Sequence, residues 1–140
     1  MWLDIGGSAA MGKSLNILCI DGDAAEREAI QEYVGILNWS ITFALNCKDG
    51  YQHATAGKFD LIVTEHKLPD CDGIELVREL RAECGPNSAT PVLLSTGSLC
   101  ERVVSVARDA SIDATVLKPM LFTTFKGEVQ KLVGRCQIQL

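Results

Sequence analysis

The feature that most constrains the fold of this chain is an alternation of short apolar runs with longer amphipathic segments. Runs rich in Ile, Leu and Val are typical of parallel strands that are buried on both faces. Parallel strands need crossover connections, which are almost always right-handed, and the intervening segments have helical spacing. The pattern therefore predicts an α/β fold with helices on both faces of a parallel sheet and with strands at Leu15–Ile20, Ile41–Leu45, Leu61–Thr64, Pro91–Ser95 and Ala114–Leu117.

Capping signals mark the expected starts of three helices. An N-cap acid or hydroxyl followed three residues later by Glu forms a capping box, which satisfies backbone N–H groups of the first turn. The boxes are Asp23 with Glu26, Asp72 with Glu75, and Ser98 with Glu101, before helices at Ala24–Leu37, Gly73–Glu83 and Leu99–Asp109. Their apolar stripes are Ile30, Val34 and Leu37; Ile74, Val77, Leu80 and Cys84; and Val103, Val106 and Ala110. Weaker patterns predict helices at Lys48–Ala56 and Leu121–Gly134.

Composition excludes several classes of protein. The 140 residues are 47% hydrophobic, which suits one soluble domain, and no run approaches the roughly 20 apolar residues of a membrane span. The N-terminus lacks the layout of a signal peptide, so a cytoplasmic location is expected. The net charge of −5 is scattered, without a basic stripe, so neither nucleic acid nor a membrane is an expected partner.

Residues 1–14 are interpreted as a flexible leader or cloning remnant and residues 15–140 as the domain, because "MGKSLNILCID" from Met11 reads like a natural start. "GSAAMGKS", from Gly7 to Ser14, matches the Walker A pattern. A real phosphate loop follows a buried strand and opens a helix, whereas this stretch runs into a predicted strand. A P-loop nucleotide hydrolase is therefore only a distant alternative.

The six cysteines lie far apart with no Cys-x-x-Cys pair, and Cys19 falls inside a predicted strand. They are interpreted as buried free thiols rather than as a disulfide framework or zinc site. His53 and His66 are expected to face solvent, since no second histidine or cysteine stands at a helical spacing from either. "LPDCDG" is interpreted as a turn rather than a calcium loop.

Polar residues follow the predicted strands, where the functional crevice of an open parallel sheet lies. Carboxylates can hold a hard divalent cation, while a hydroxyl and an ammonium can hold phosphate oxygens. The polar residues at the strand ends therefore indicate a site for a phosphoryl group with a divalent ion. The residues at these positions are Asp21, Gly22 and Asp23 after the first strand, Glu65 after the third, Thr96 and Gly97 after the fourth, and Lys118 and Pro119 after the fifth.

Four segments, "ILCIDGDAAEREAI", "FDLIVTEHKLPDCDGIELVREL", "PVLLSTGS" and "ATVLKP", resemble in order and spacing the response-regulator receiver domain, the CheY-like phosphoacceptor module of two-component signalling. The resemblance covers about Leu15 to Gly134. It implies a flavodoxin-like (βα)₅ fold with strand order 2-1-3-4-5. In that family an aspartate after the third strand accepts a phosphoryl group from a histidine kinase, and two acids after the first strand hold magnesium.

The resemblance assigns roles residue by residue. Asp21 matches the first paired acid, Thr96 the hydroxyl switch residue, Lys118 the conserved lysine, and Pro119 the proline after a cis bond. Three positions depart from the family pattern: Gly22 replaces the second acid, Glu65 replaces the phosphoaccepting aspartate, and Thr115 replaces the aromatic switch residue. Asp23 is interpreted as a helix N-cap rather than as a replacement metal ligand.

The departures have chemical consequences. Magnesium demands near-octahedral coordination, so loss of the acid at Gly22 leaves at most a weak or vestigial site formed by Asp21, Glu65 and the Lys67 backbone. Glu65 extends its oxygens by roughly 1.5 Å, and misplacement on that scale costs about a hundredfold in rate. We therefore expect no catalytic residue, no enzymatic activity and no required cofactor. Glu65 either mimics the phosphorylated state or forms an ion pair that satisfies Lys118.

The leading hypothesis is an atypical receiver domain that acts by protein contact, independently of phosphorylation. Expected partners are a histidine kinase, an effector domain or a downstream regulator, or a second copy of the chain. By resemblance, the contact face consists of helix four, strand five and helix five. The alternative is a receiver that still accepts a phosphoryl group at an acid of the crevice.

Overall fold

The computed structural model describes residues 14–138, and side chains through residue 134. Strands and helices alternate along this range, and every predicted element is present with small shifts at its ends. The elements are β1 (Asn16–Ile20), α1 (Ala24–Leu37), β2 (Ser40–Ala44), α2 (Cys47–Ala56), β3 (Leu61–Glu65), α3 (Gly73–Ala82), β4 (Val92–Thr96), α4 (Glu101–Asp109), β5 (Ala114–Leu117) and α5 (Phe122–Ile138). No helix within 14–138 is long and apolar enough to cross a bilayer.

The five strands form one parallel sheet in the order β2-β1-β3-β4-β5. This is the flavodoxin-like order, so the predicted fold class is confirmed. The chain passes from β1 outward to β2 and then returns to β3 on the other side of β1. The strand order therefore reverses between β1 and β3, which is where open α/β sheets place a ligand-binding crevice.

The strand register brings the carboxyl ends of β1 and β3 to the same level. Ile20 of β1 pairs with Ala44 on one side and with Thr64 on the other. Asp21 and Glu65 each follow one member of the Ile20–Thr64 pair. The register alone therefore makes these two acids neighbours across adjacent strands.

Two apolar layers cover the sheet. One packs strand residues against α2, α3 and α4, and it includes Leu18, Ile20, Ile62, Leu94, Ala54, Val77 and Ala107. The other packs the opposite face against α1 and α5, and it includes Ile17, Cys19, Val63, Leu93, Ile30, Val34, Phe125 and Val129. Successive side chains of one strand pack into opposite layers. Both faces of each strand are therefore buried, which explains why the strand sequences are continuous apolar runs.

The N-cap predictions for α1 and α3 are confirmed. The Asp23 carboxylate accepts the Ala25 N–H at 3.0 Å, and the Asp72 carboxylate accepts the Ile74 N–H at 2.8 Å. The complete capping box at α1 is wrong, because the Asp23 N–H donates to Asp21 Oδ1 at 2.8 Å instead of to Glu26. Glu26 turns inward and is only 6% exposed.

The predicted start of α4 at Leu99 with Ser98 as its cap is also wrong. The helix begins at Glu101, and Cys100 occupies the N-cap position without a side-chain hydrogen bond. The Ser98 N–H donates to Thr96 Oγ1 at 3.1 Å, which ties the loop back to the end of β4. The apolar stripe of α3 is likewise shorter than predicted, since Cys84 lies beyond the end of the helix and is exposed.

Candidate functional site

The ammonium group of Lys118 forms the centre of the strand-end crevice. Its Nζ lies 3.0 Å from Glu65 Oε2, 3.3 Å from Asp21 Oδ2 and 3.9 Å from Asp23 Oδ2. The side chain of Lys118 is 13% exposed and that of Asp21 is 2% exposed, so little water screens these contacts. Four charged groups from the ends of three strands thus form one ion-paired cluster. The cis peptide bond expected between Lys118 and Pro119 is present.

Both oxygens of Glu65 have partners. Oε2 faces Lys118, and Oε1 accepts the backbone N–H of Gly22 at 3.1 Å. The carboxylate therefore bridges the end of β1 and the residue that follows β5. The longer side chain of glutamate can therefore be accommodated at this position, because both of its oxygens find partners.

The acids of the cluster differ in their protonation behaviour. Burial raises the pKa of Asp21 to about 6, and the neighbouring Glu65 reinforces the increase. Burial also acts to raise the pKa of Glu65, but hydrogen bonds with Asp21, Lys118 and the Gly22 N–H lower it overall. Burial acts to lower the pKa of Lys118, but Glu65 and Asp21 raise it overall. Lys118 therefore stays charged opposite an ionised Glu65, and Asp21 is the acid that takes up a proton first.

Glu26 is a further buried acid that sequence reasoning missed. Burial raises the pKa of its carboxyl, while Lys118 and the backbone N–H of Met120 act in the opposite direction. Its position three residues after an N-cap made it look like part of a capping box. Only the packing of α1 against the segment after β5 reveals that this carboxylate is buried near the backbone of Met120.

Thr96 joins a different group of side chains. Its hydroxyl lies 3.2 Å from His66 Nδ1 and accepts the Ser98 N–H. His66 Nε2 in turn lies 3.4 Å from Asp72 Oδ2. The expectation that His66 faces solvent is wrong, because its backbone N–H continues the ladder to Ser95 O and the side chain turns into the protein, where it is 7% exposed. His53 is exposed as expected.

The remaining predicted positions lie around this cluster. Thr115 is partly buried in β5 and pairs with Leu94 of β4. Lys67 has a side chain that is 78% exposed and lies 3.7 Å from Asp72. Gly7 to Lys13 of the Walker-like stretch lies outside the described residues. The structure therefore brings Asp21, Asp23, Glu65 and Lys118 together but gives Thr96, Thr115 and Lys67 other partners.

Two loops lie close over Gly22. A Cβ atom added at Gly22 would lie 3.3 Å from the backbone oxygen of Leu45 and 3.5 Å from Cγ of Pro69. Leu45 belongs to the β2–α2 loop and Pro69 to the β3–α3 loop. Glycine at this position thus permits close approach of two loops as well as omitting a carboxylate.

A disulfide lies next to these loops, linking Cys47, the first residue of α2, to Cys71 in the β3–α3 loop. The interpretation of all cysteines as buried free thiols is therefore wrong for this pair. It is right for Cys19, whereas Cys84 and Cys100 are free but exposed. The pair is 24 residues apart in sequence and becomes adjacent only because β2 and β3 flank β1. Cys136 has no described side chain.

Comparison with known proteins places this chain in a family. The model of the response regulator receiver domain matches residues 17–130, and the chain belongs to that family. Chemotaxis protein CheY-3 of Vibrio cholerae is 25% identical over 133 residues, which cover 91% of this chain and 98% of that protein. A shorter match to ycf29 of Porphyra purpurea is 37% identical over 68 residues, covering 49% of this chain and 32% of that protein.

The chain spans only about a third of ycf29 and 53% of another curated relative, response regulator MprA of Mycobacterium ulcerans. Among solved structures, the receiver domain of a sensor histidine kinase from Pseudomonas aeruginosa superimposes with a TM-score of 0.79 at 19% identity. The superposition covers 87% of this chain and 99% of that one, which holds a magnesium ion in its active-site cleft. At this identity the likeness shows the shared fold.

Proposed function

We propose that this chain is a receiver domain that signals by protein contact, without phosphoryl transfer and without enzymatic activity, in the cytoplasm. The observation that carries the proposal is the 3.0 Å ion pair between Glu65 and Lys118. It places a permanent carboxylate against the lysine that reads the phosphoryl group in the family. A carboxylate carries less charge and fewer oxygens than a phosphoryl group, so it is a partial mimic.

The partners of Glu65 argue against a role as phosphoacceptor. To attack a phosphoryl donor, one oxygen would have to give up either the Lys118 ammonium or the Gly22 N–H. Breaking a contact between oppositely charged buried groups without replacement is costly, because each charge has already lost its water. The favourable state of Glu65 is therefore the paired one.

Magnesium does not fit the arrangement of these acids. The ion needs near-octahedral oxygen ligands, whereas Asp21 and Glu65 direct oxygens at the Lys118 ammonium and Gly22 supplies none. A divalent cation at their midpoint would be repelled by the ammonium group. The proposed function therefore involves no metal ion.

The proposed contact face consists of α4, β5 and α5. Leu99, Leu117 and Leu121 on this side are 42%, 52% and 62% exposed. Leu117 directly precedes Lys118, so the ion-paired cluster and the exposed apolar side chains share one strand end. Because the two are adjacent, the Glu65–Lys118 pair would hold the contact face in one conformation. A histidine kinase, effector domain or downstream regulator would bind there, or a second copy of the chain.

Treatment with acetyl phosphate and magnesium tests this proposal. We expect intact-mass analysis of the wild type to show no phosphoryl adduct, and fluorescence or NMR titration to show no saturable response to magnesium with beryllofluoride. Chemotaxis protein CheY-3, the near full-length relative, serves as a control receiver for the reagents. A wild-type adduct at an acid of the crevice would overturn the proposal in favour of the alternative, a receiver that still accepts a phosphoryl group.

A further inference from the structure

The disulfide between Cys47 and Cys71 lies beside the crevice and has no part in the function proposed above. Cys47 is the first residue of α2, and Cys71 lies in the loop before α3. Their Cα atoms are 6.0 Å apart. The bond therefore connects a helix N-terminus with the loop that follows the phosphoacceptor position.

A second link holds the same two segments together without the sulfur atoms. The carboxylate of Asp70 accepts the backbone N–H groups of Cys47 at 2.8 Å and Lys48 at 3.0 Å. The N–H of Cys47 is also the largest cause of the lowered pKa of Asp70, so this carboxylate stays ionised as a cap. Because the cap does not depend on the disulfide, reduction leaves the two thiols near one another and able to pair again.

The two linked cysteines differ in their exposure. A groove of about 540 Å³ between α2 and α3 is lined by both cysteines and by Tyr51 and Leu76. Cys47 is only 7% exposed, whereas Cys71 is partly exposed. A small thiolate approaching through the groove would therefore meet the Cys71 sulfur first. Cys19, in contrast, is fully buried, and burial raises the pKa of its thiol.

The position of the bond gives it a mechanical consequence. Leu45 and Pro69 are the residues that face Gly22, and each stands two residues before a linked cysteine. The covalent bond therefore limits how far the two walls over Gly22 can separate. Without it, only the Asp70 cap and local packing oppose their separation.

From these observations we infer that Cys47 and Cys71 are a thiol–disulfide exchange pair that responds to a low-molecular-weight thiol such as glutathione and sets the closure of the loops over Gly22. In the cytoplasm, the location proposed above, protein disulfides are usually transient and redox-sensing rather than permanent. The site is thus a place of reversible covalent modification that operates without a phosphoryl group.

The exchange proceeds in two balanced steps. A glutathione thiolate attacks the Cys71 sulfur, a mixed disulfide forms, and Cys47 leaves as a thiolate that takes a proton from water. A second glutathione thiolate then attacks the sulfur of the bound glutathione, releasing glutathione disulfide and the Cys71 thiolate. Two thiols are oxidised and one protein disulfide is reduced. The reverse sequence re-forms the bond.

A metal is a less suitable occupant of the same site. Cys47, Cys71 and Asp70 place donor atoms within 4.8 Å of one another. Zinc in proteins takes four ligands in structural sites, and the Asp70 carboxylate already accepts two backbone N–H groups. Exchange chemistry uses only the two sulfur atoms and leaves that cap intact.

Equilibration of the full chain in glutathione buffers tests the exchange. Samples are quenched with acid, alkylated and mapped by peptide mass spectrometry. We expect the ratio of reduced to linked Cys47–Cys71 peptides to change about tenfold for each tenfold change in [GSH]²/[GSSG], the dependence of an intramolecular disulfide. Cys84 and Cys100 are internal controls, because each is exposed and neither is described as disulfide-bonded. A pair that stays linked in excess glutathione, or that never links in glutathione disulfide, would overturn the proposal.

Hydrogen exchange of the linked and reduced wild type tests the effect on the loops. We expect the amides of Gly22 and of residues 45–48 to exchange several-fold faster after reduction, while amides in the centre of β4 stay unchanged. The Cys71→Ser variant should reproduce the reduced pattern, and Cys84→Ser should retain the linked one. If Cys71→Ser does not fold, the reduced wild type supplies the comparison. Equal exchange in the linked and reduced protein would show that the bond does not control the loops.

Discussion

A single methylene at position 65 changes the chemistry available at the end of β3. The longer side chain reaches both the Lys118 ammonium and the Gly22 N–H, and in the function proposed above these contacts keep both oxygens from a phosphoryl donor. Asp21 shares the same ammonium from the adjacent strand. The carboxylates of the crevice are therefore paired with Lys118. The contribution of these pairs can be measured as a change in the free energy of unfolding.

Replacing Lys118 with methionine should destabilise the protein by about 2–4 kcal/mol. The change leaves the carboxylates of Asp21 and Glu65 buried together without a cation. Urea unfolding at neutral pH measures the loss. Lys67→Met is the matched control, because Lys67 pairs with Asp72 in the open and its side chain is 78% exposed. The control should change the free energy of unfolding by less than about 0.5 kcal/mol, and an equal loss in both variants would contradict the importance of the cluster.

The contribution of Asp21 to the free energy of unfolding should decrease as the pH rises. Its pKa is raised from 3.8 to about 6, so the folded state binds the proton more tightly than the unfolded state does. The stabilisation is complete below pH 3.8 and is lost as the pH rises through about 6. Measured between pH 4 and 7, the stability of wild type relative to Asp21→Asn should fall with increasing pH, by on the order of 2 kcal/mol.

Glu65 should give the opposite dependence of stability on pH in the same measurement. Its pKa is lowered in the folded protein, so its ionised form contributes stability above its ordinary pKa of 4.5, and that stability is lost as the pH falls. Relative to Glu65→Gln, the wild type should therefore lose stability on acidification. For each variant, the stability of the wild type minus that of the variant is plotted against pH. If this difference changed in the same direction for Asp21→Asn and Glu65→Gln, the assignment of the proton to Asp21 would be contradicted.

At the scale of secondary-structure elements, the ends of the strands decide what can happen in the crevice. β1 and β3 deliver Asp21 and Glu65 to the same level, and the loops after β2 and β3 close over Gly22. A restored acid at Gly22 would have to fit under those loops. Function at this site therefore depends on loop spacing as well as on residue identity.

The double variant Gly22→Asp with Glu65→Asp should recover magnesium-dependent labelling by acetyl phosphate. Either single variant should recover little, because metal binding and nucleophile placement act as a unit. The new Cβ at Gly22 lies 3.3 Å from Leu45 O, so the loop must yield by a few tenths of an ångström. Labelling is measured by intact mass with and without magnesium. A folded double variant that stays inert would show that the loops or the partners of Thr96 prevent the reaction.

The face formed by α4, β5 and α5 should mediate self-association if its partner is a second copy. Leu117→Glu with Leu121→Glu places two charges in the exposed apolar surface and should weaken any dimer at least about tenfold. Analytical ultracentrifugation over a range of concentrations measures this. Ile36→Glu is the matched control, because Ile36 is 66% exposed on α1, outside the face formed by α4, β5 and α5. A wild type that is monomeric throughout would exclude the homodimer and leave a different protein as the partner.

For the whole molecule, the described core begins at Leu15, whose side chain is fully buried. A chain that starts at Met11 retains all the described core residues of both layers. It should unfold at the same urea concentration as the full chain, and neither chain should bind ATP measurably by calorimetry. ATP binding that is lost on removal of Gly7 would instead support the Walker A interpretation of the N-terminal stretch.

The sequence by itself determined the fold and pointed to three of the charged residues in the crevice. Apolar runs with helical spacing between them imply a parallel sheet, because strand periodicity and crossover handedness are local properties of the chain. Asp21, Glu65 and Lys118 could be named because each lies at or directly after the end of a strand. The caps Asp23 and Asp72 were equally local, since an N-cap contacts backbone only two residues away.

Only the tertiary structure decided which of those residues meet. His66 and Glu26 were misjudged because their contacts lie on other segments of the chain, which the local pattern does not show. Ser98 was misjudged because its N–H donates to Thr96, two residues back, so it ends the β4 loop instead of capping α4. The Cys47–Cys71 bond was missed for the same reason as the contacts of His66 and Glu26: its two segments adjoin only because β1 lies between β2 and β3. Long-range contacts depend on the order in which strands assemble, and the spacing of residues along a chain does not encode the distance between loops.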